Sequence, residues 1–275
     1  MAGRLVLVAT PIGNLGDLSL RAVEVLATAD VVACEDTRRT GRLLAHAGVN
    51  ASRLLVVNEH TERVRAAEVA ELVAGGSLAA LVTDAGTPAI SDPGAKVVRA
   101  VLEAGGEVEA VPGPSAALAA LVVSGLPTGR FCFEGFLPKK GRSRADRLGA
   151  LSHEPRTMVL FEAPHRLART LRDLAEALGE DRSVAIVREQ TKLHEDVWRG
   201  TLAEAVLRAE ADEPRGEYVL VVGGFAGPPP PSEAQVKAAL DEKLAAGLSR
   251  RDAAFEVASD LGVSRRSAYQ LSLAD

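Results

Sequence analysis

Residues 79–94 read Ala79-Ala80-Leu81-Val82-Thr83-Asp84-Ala85-Gly86-Thr87-Pro88-Ala89-Ile90-Ser91-Asp92-Pro93-Gly94. A short apolar run breaks into Gly, Pro, Ser and Asp, and an amphipathic stretch over 95–104 follows. An unbroken run of this length suits a strand covered on both faces, and the small residues after it suit a loop turning into a helix. The same order recurs on both sides. Candidate strands lie at 5–9, 31–34, 54–57, 79–83, 108–111, 131–136, 157–161, 184–187 and 218–222, with helical stretches at 20–29, 62–74, 95–104, 166–178 and 202–211. Such alternation over residues 4–223 argues an α/β chain with largely parallel sheets.

Helix starts carry their own signals. Asp92 before Pro93 offers a cap followed by proline at the first helical position. Thr201 with Glu204, Ser232 with Gln235, and Ser249 with Asp252 have capping-box spacing or its Asp variant. Pro112-Gly113-Pro114, or the turn over 125–129, divides the α/β part into two lobes, taken as 1–113 and 114–226. Residues 227–231 (Gly-Pro-Pro-Pro-Pro) predict a stiff polyproline spacer. Beyond it, 232–275 reads as a small all-α domain. Val236, Leu240 and Leu244 form one stripe, Ala254, Val257, Ala258 and Leu261 another, and Ser264 caps a last helix after Gly262.

Composition bounds the function. At 275 residues the chain has room for two domains and an appendage, and 47% hydrophobic content supports a buried core. The net charge of −5 argues, as an average, against a nucleic-acid partner. Two cysteines, Cys34 and Cys132, exclude a disulfide framework and a four-sulfur zinc site. No apolar run approaches the ~20 residues of a membrane helix, and the first run, 5–8, reads as a strand rather than a signal peptide, so a cytoplasmic protein is expected.

Neither G-x-x-x-x-G-K-[ST] nor G-x-G-x-x-G after the first strand is present. Three other small-residue loops follow strands instead: 10–17, 84–94 and 112–116. Loops at the carboxyl ends of strands are where open α/β sheets bind ligands. Glycine there lets a ligand approach the backbone, and free N–H groups at the next helix start favour an anion. Asp84 suits a hydroxyl or an ammonium group. For a single loop, turn chemistry alone explains the residues equally well; three at strand ends favour a ligand.

Leu7-Val8-Ala9-Thr10-Pro11-Ile12-Gly13-Asn14-Leu15-Gly16-Asp17, Cys34-Glu35-Asp36-Thr37-Arg38, the 84–94 loop, Pro112 to Ala116, and Phe161-Glu162-Ala163-Pro164-His165-Arg166 together resemble the ribosomal RNA small subunit methyltransferase I family of the tetrapyrrole-methylase superfamily. The likeness runs from about residue 4 to 224 and continues into the tail. It implies two α/β lobes with an S-adenosylmethionine cleft between them, usually in a homodimer. It also implies methyl transfer to the ribose 2′-hydroxyl of cytidine 1402 in 16S rRNA of the small ribosomal subunit. Carried over residue by residue, the cofactor would touch Pro11, then Asp84, Ala85, Gly86, Pro88, Ile90 and Ser91, then Ser115 and Ala116, then Phe161, Glu162 and Ala163, with Glu217 a further candidate. No metal is implied, because a sulfonium already activates its methyl group, and the chemistry asks for alignment and removal of a proton.

For that proton, Glu35, Asp36, Glu59, His60, Glu189 and Lys192 follow predicted strands. Glu35 or Asp36 comes first, and Lys192, if its pKa is depressed, second. Each also fits a surface or capping role. From Arg130 to Arg147, six cations stand against Glu134 and Asp146, a net +4 in a chain otherwise at −9. Lys139, Lys140, Arg142 and Arg144, in a loop running into a helix that Ser143 caps, are therefore expected on RNA phosphate, with Arg38, Arg39 and Arg42 nearer the site. Residues 249–271 resemble a helix-turn-helix with Arg265 and Arg266 on its second helix, although the tail's net −1 suits packing or dimerisation as well. Two other functions share these features: methylation of a tetrapyrrole intermediate, or a non-catalytic nucleic-acid-binding metabolite sensor.

Overall fold

The computed structural model describes residues 3–211, 213–227 and 231–273. Its first sheet holds β1 (Arg4–Val8), β2 (Val31–Cys34), β3 (Leu54–Val56), β4 (Leu78–Leu81) and β5 (Glu107–Val111), in the order β3-β2-β4-β1-β5 and parallel throughout. The apolar runs have two faces because side chains alternate along a strand. Leu5, Val31, Ala33, Ala79 and Leu81 pack on α3 (Glu62–Ala74) and α4 (Ala95–Glu103) through Val69, Val73, Val97 and Val101. Val6, Val8, Val32, Ala80 and Val82 pack on α1 (Leu20–Thr28) and α2 (Thr37–Ala47) through Ala22, Leu26 and Leu44, and Cys34 is packed among them. The helices that follow the neighbours β1 and β4 therefore leave to opposite faces, and the carboxyl ends of these two strands open a crevice.

The chain passes to the second sheet between Val111 and α5 (Ala116–Val123), whose Ala117, Ala120 and Leu121 pack on Val159, Ala185, Val187 and Val221. This sheet holds β6 (Phe131–Phe136), β7 (Thr157–Glu162), β8 (Ser183–Arg188), β9 (Asp196–Thr201) and β10 (Tyr218–Val222), in the order β6-β7-β10-β8-β9. Its other face is covered by α6 (Arg142–Leu151), α7 (Leu167–Leu178) and α8 (Leu202–Ala211). Here the expected parallel arrangement does not hold. Only β6 and β7 run parallel, while the β7–β10, β10–β8 and β8–β9 pairs are antiparallel. The cause is β9, absent from the sequence reading, which returns beside β8 as an edge strand.

Two capping expectations also change. Helix α4 begins at Ala95 after Gly94, and its first N–H groups are satisfied by Glu62 of α3, which accepts from Gly94 N at 2.8 Å and Lys96 N at 3.0 Å. Asp92 is thus released from capping. At α6 the cap position is held by Gly141, and Ser143 lies inside the helix. Thr201 and Glu204 bond each other's backbone N–H groups as expected.

One compact unit ends at Phe225 and a second begins at Ala226. The second holds α9 (Glu233–Ala245), α10 (Arg250–Leu261) and α11 (Arg265–Leu271), with capping residues Ser232, Ser249 and Ser264. Its core joins Val236 and Leu240 to Ala254, Val257, Ala258 and Ala268. Of the expected polyproline spacer, Pro228 to Pro230 lie outside the described residues. Among the described residues no helix is long and apolar enough to cross a membrane.

Candidate active site

The strand-end loops are tied to one another before any ligand is considered. Thr10 and Gly86 exchange backbone hydrogen bonds of 2.8 and 3.1 Å, and the buried Thr10 hydroxyl donates to the Thr83 carbonyl. Thr87 donates its hydroxyl to Pro114 O at 3.3 Å, which binds the 84–94 loop to the start of α5. That loop turns through left-handed backbone at Gly86 (φ 84°), Ala89 (φ 68°) and Ser91 (φ 62°). Non-glycine residues adopt this conformation at a cost and mark segments held by their surroundings.

Beneath the loop lies a cavity of about 370 Å³, within the range of small-molecule sites. The first lobe lines it with Ile12, Ala85, Gly86, Thr87, Ile90, Ser91 and Asp92, and the start of α5 adds Ser115 and Ala116. The second lobe adds Phe136, Phe161, Glu162, Ala163 and Pro164 from β6, β7 and the turn after β7, with Val187, Gln190, Gly216, Glu217, Tyr218 and Val219 from the ends of β8 and β10. Phe161 is fixed edge-on between Phe133 and Phe136, at centroid distances of 5.0 and 5.7 Å. In the orientation that satisfies both of its groups, the buried Gln190 amide bridges the first turn of α5, donating to Ala116 O at 3.0 Å and accepting from Ala120 N at 2.9 Å.

Of the residues expected around a cofactor, Ala85, Gly86, Ile90, Ser91, Ser115, Ala116, Phe161, Glu162 and Ala163 line this cavity. Pro88 does not, being buried within its loop. Pro11 and Asp84 line a second cleft instead, of about 560 Å³, which shares Ile12, Ala85 and Glu217 with the first. The Glu162 carboxylate is occupied by its own neighbours: it accepts from Ala163 N and the Thr170 hydroxyl, and pairs with Arg166 at 3.3 Å.

The proton-handling candidates sort by environment. Asp36 caps α2 and forms a two-point pair with Arg38, which holds its carboxyl far below the usual carboxylate range and removes it as a base. Lys192 also departs from expectation. Burial pulls its ammonium down, but Glu189 at 2.9 Å and Glu217 at 2.7 Å outweigh that and raise it, so it stays charged. Glu35 is raised by burial and by Asp84, and accepts from the Thr83 hydroxyl at 3.3 Å, but lines neither cavity. Asp84, raised chiefly by burial, keeps Oδ2 at 3.4 Å from Arg39 while its buried Oδ1 has no hydrogen-bond partner. Asp92, read from the sequence only as a cap, is pushed up to about 6 by burial, with Glu35 and Asp84 adding to the effect. Its place on the cavity wall carried no local sequence signal.

The basic segment divides. Lys139, Lys140 and Arg142 are exposed. Arg144 is not: at 4% exposure it bonds Asp173 at 2.6 Å, Pro138 O at 2.9 Å and Thr170 at 2.9 Å, which removes it from any RNA contact. In the second unit, Arg265 stacks over the exposed Phe255 at 4.1 Å beside Arg251, Arg266 and Tyr269.

Residues 4–206 match the family described as Tetrapyrrole (Corrin/Porphyrin) Methylases. The chain belongs to this family. Within it, the chain is 47% identical over 273 residues to the ribosomal RNA small subunit methyltransferase I of Synechocystis sp., covering 98% of both chains. It is 51% identical to the protein of that name from Xylella fastidiosa over 82% of both chains, and 44% identical to that from Escherichia coli O157:H7, covering 98% of this chain and 95% of the other. These relatives also place it in the ribosomal RNA small subunit methyltransferase I family. Among solved structures it resembles uroporphyrin-III C-methyltransferase from Thermus thermophilus, with a TM-score of 0.58 and 25% identity over 80% of this chain and 94% of the other. Diphthine synthase shares the fold at a TM-score of 0.61 and 17% identity over 80% and 90%.

Proposed function

We infer that this tetrapyrrole-methylase family member is an S-adenosylmethionine-dependent methyltransferase acting on the ribose 2′-hydroxyl of cytidine 1402 in 16S rRNA of the small ribosomal subunit. The supporting observation is 44–47% identity, over nearly the full length, to relatives named ribosomal RNA small subunit methyltransferase I, joined to a cavity of matching chemistry.

The cavity fits the cofactor on its own residues. Ile12, Ile90, Phe161, Val187 and Val219 offer apolar walls for a heterocycle, and a residue other than glycine at position 86 would be strained at φ 84°. Asp92 supplies a carboxylate to a ligand that carries both a sulfonium and an ammonium. Bound there, S-adenosylmethionine supplies a methyl group already activated for in-line displacement. The chain's own tasks are then to hold the ribose hydroxyl and to take its proton. The Asp84 carboxylate, on the wall of the adjoining cleft and raised chiefly by burial, is the acceptor this arrangement favours, with Glu35 the second raised acid beside it. A raised carboxyl is the better base near neutrality, because catalysis is most efficient when the pKa approaches the working pH.

Lys139, Lys140, Arg142, Arg38, Arg39, Arg265 and Arg266 remain the proposed RNA contacts, without Arg144. A homodimer is proposed as well, supported by the exposed apolar Leu118 and Val122 on α5. The test is transfer of labelled methyl to small subunits from cells lacking this modification. One labelled ribose at that cytidine is expected; labelling confined to a uroporphyrinogen-type substrate would reject the reading.

A further inference from the structure

The second cleft differs in character from the cofactor cavity it adjoins. Its wall carries Arg39 and Arg42 from α2, Lys192 from the loop after β8, and the carboxylates of Asp84 and Glu217. Lys192 is already engaged, by Glu217 at 2.7 Å and Glu189 at 2.9 Å. Arg39 Nε stands 3.4 Å from Asp84 Oδ2, and the guanidinium makes no hydrogen bond among the described residues. Arg42 has neither an ion pair nor a side-chain hydrogen bond among the described residues. The two arginines stand three positions apart on one helix, so their side chains project together. On the same wall stands Asp84, whose chain neighbour Ala85 lines both this cleft and the cofactor cavity.

A guanidinium is a planar donor fork whose unfilled N–H groups match phosphate oxygens. In RNA the 2′-hydroxyl and the 3′-phosphodiester sit on adjacent carbons of one ribose. A cleft that offers two guanidinium groups with free N–H donors beside the Asp84 carboxylate matches that pair of groups. Resting on the function proposed above, we propose that Arg39 and Arg42 clamp the phosphodiester 3′ to the target ribose and so deliver its 2′-hydroxyl to Asp84. The clamp supplies orientation, which converts weak substrate binding into a defined approach of one hydroxyl.

The test compares wild type with R39Q, R42Q and R42K on unmethylated small subunits, with cofactor affinity measured by calorimetry as a control for folding. Each glutamine variant is expected to raise KM for subunits on the order of tenfold and to lower the slope of log affinity against log salt by about one, as expected for one lost phosphate contact. R42K is expected to keep the salt slope, while cofactor affinity stays within about threefold throughout. Unchanged KM and slope in both glutamine variants overturn the clamp while leaving the function intact. So does a fall in kcat with KM and slope unchanged, or a loss of cofactor binding, since either assigns the arginines elsewhere. Failure of wild type to methylate subunits overturns the function reading itself.

Discussion

The two lobes each present a five-stranded sheet to the cofactor cavity, yet they contribute different things. The first sheet is parallel, so every strand ends on one rim and its loops converge there. It supplies loop residues: Ile12, Gly86, Ile90, the left-handed Ser91, and Asp92. The second sheet is mostly antiparallel, so β6, β7 and β8 end at the cavity while β10 begins there. It supplies apolar side chains of rigid strands: Phe161, Val187 and Val219. Function thus sits on first-lobe loops and is framed by a second-lobe core. A change to the loops should cost activity before stability, and a change to the second lobe's buried network should do the reverse.

The largest expected effect tests the loop side. Asp84→Asn should lower methyl transfer by about 10²- to 10⁴-fold, the range for removing a positioned proton acceptor. Cofactor affinity should remain within about threefold, because Asp84 lines the neighbouring cleft and not the cofactor cavity. Single-turnover kinetics with calorimetry decides it; a large loss of cofactor affinity would move Asp84 into the cofactor site.

The opposite effect belongs to Arg144. Buried Glu162, Thr170 and Arg144 form one network with the half-buried Asp173 in the second lobe. Arg144→Ala leaves uncompensated groups and should destabilise the protein by about 3–5 kcal/mol in urea unfolding, with the salt dependence of RNA binding unchanged. Replacing Lys139, Lys140 and Arg142 together should reverse both outcomes. If Arg144→Ala instead flattens the salt dependence and spares stability, Arg144 does not belong to the second lobe's buried network.

A pH effect separates the lobes more gently. The Asp92 carboxyl is pushed up to about 6 by burial among acids, and a cationic ligand beside it favours the ionised form. Binding should therefore release a proton when the pH is near or below 6. Affinity should be flat above that value and fall as the pH drops through it, by at most about tenfold per unit. Calorimetry in buffers of different ionisation enthalpy counts the proton, and Asp92→Asn should abolish its release.

The same contrast explains what the sequence displayed. The first lobe's strands announced themselves as apolar runs, and its loops as Gly and Pro at strand ends. Those signals are local. Strand direction is not, and β9 (Asp-Val-Trp-Arg-Gly-Thr) mixes polar and apolar residues as half-covered edge strands do. Val187, Tyr218 and Val219 reach the cavity with the same apolar composition as core positions, so nothing marked them. Within the run 139–144, the one buried cation is selected by Asp173, 29 residues onward. Asp92 mimicked a helix cap because Asp-Pro is a capping pattern whether or not the cap forms.

The residue that does cap α4 gives the smallest effect and the sharpest check on loop placement. Glu62, 6% exposed, accepts from Gly94 and Lys96 N–H groups and pairs with Lys96 Nζ at 3.1 Å, thereby anchoring the end of the 84–94 loop to α3. Burial pushes its carboxyl up, but the two backbone donors and Lys96 outweigh that and lower it. A carboxyl depressed on folding stabilises the native state above its ordinary pKa, and that contribution is lost as the pH falls through the folded value. Glu62→Gln keeps one acceptor oxygen and the shape, so it should cost about 1–2 kcal/mol near neutrality, on the scale of a helix cap. The cost should shrink toward zero in strong acid, where the native carboxyl is itself protonated. Because Gly94 closes the loop that carries Asp92, the same variant should weaken cofactor binding severalfold. Stability loss with unchanged cofactor affinity would show that the loop holds its shape through Thr10 and Thr87 alone.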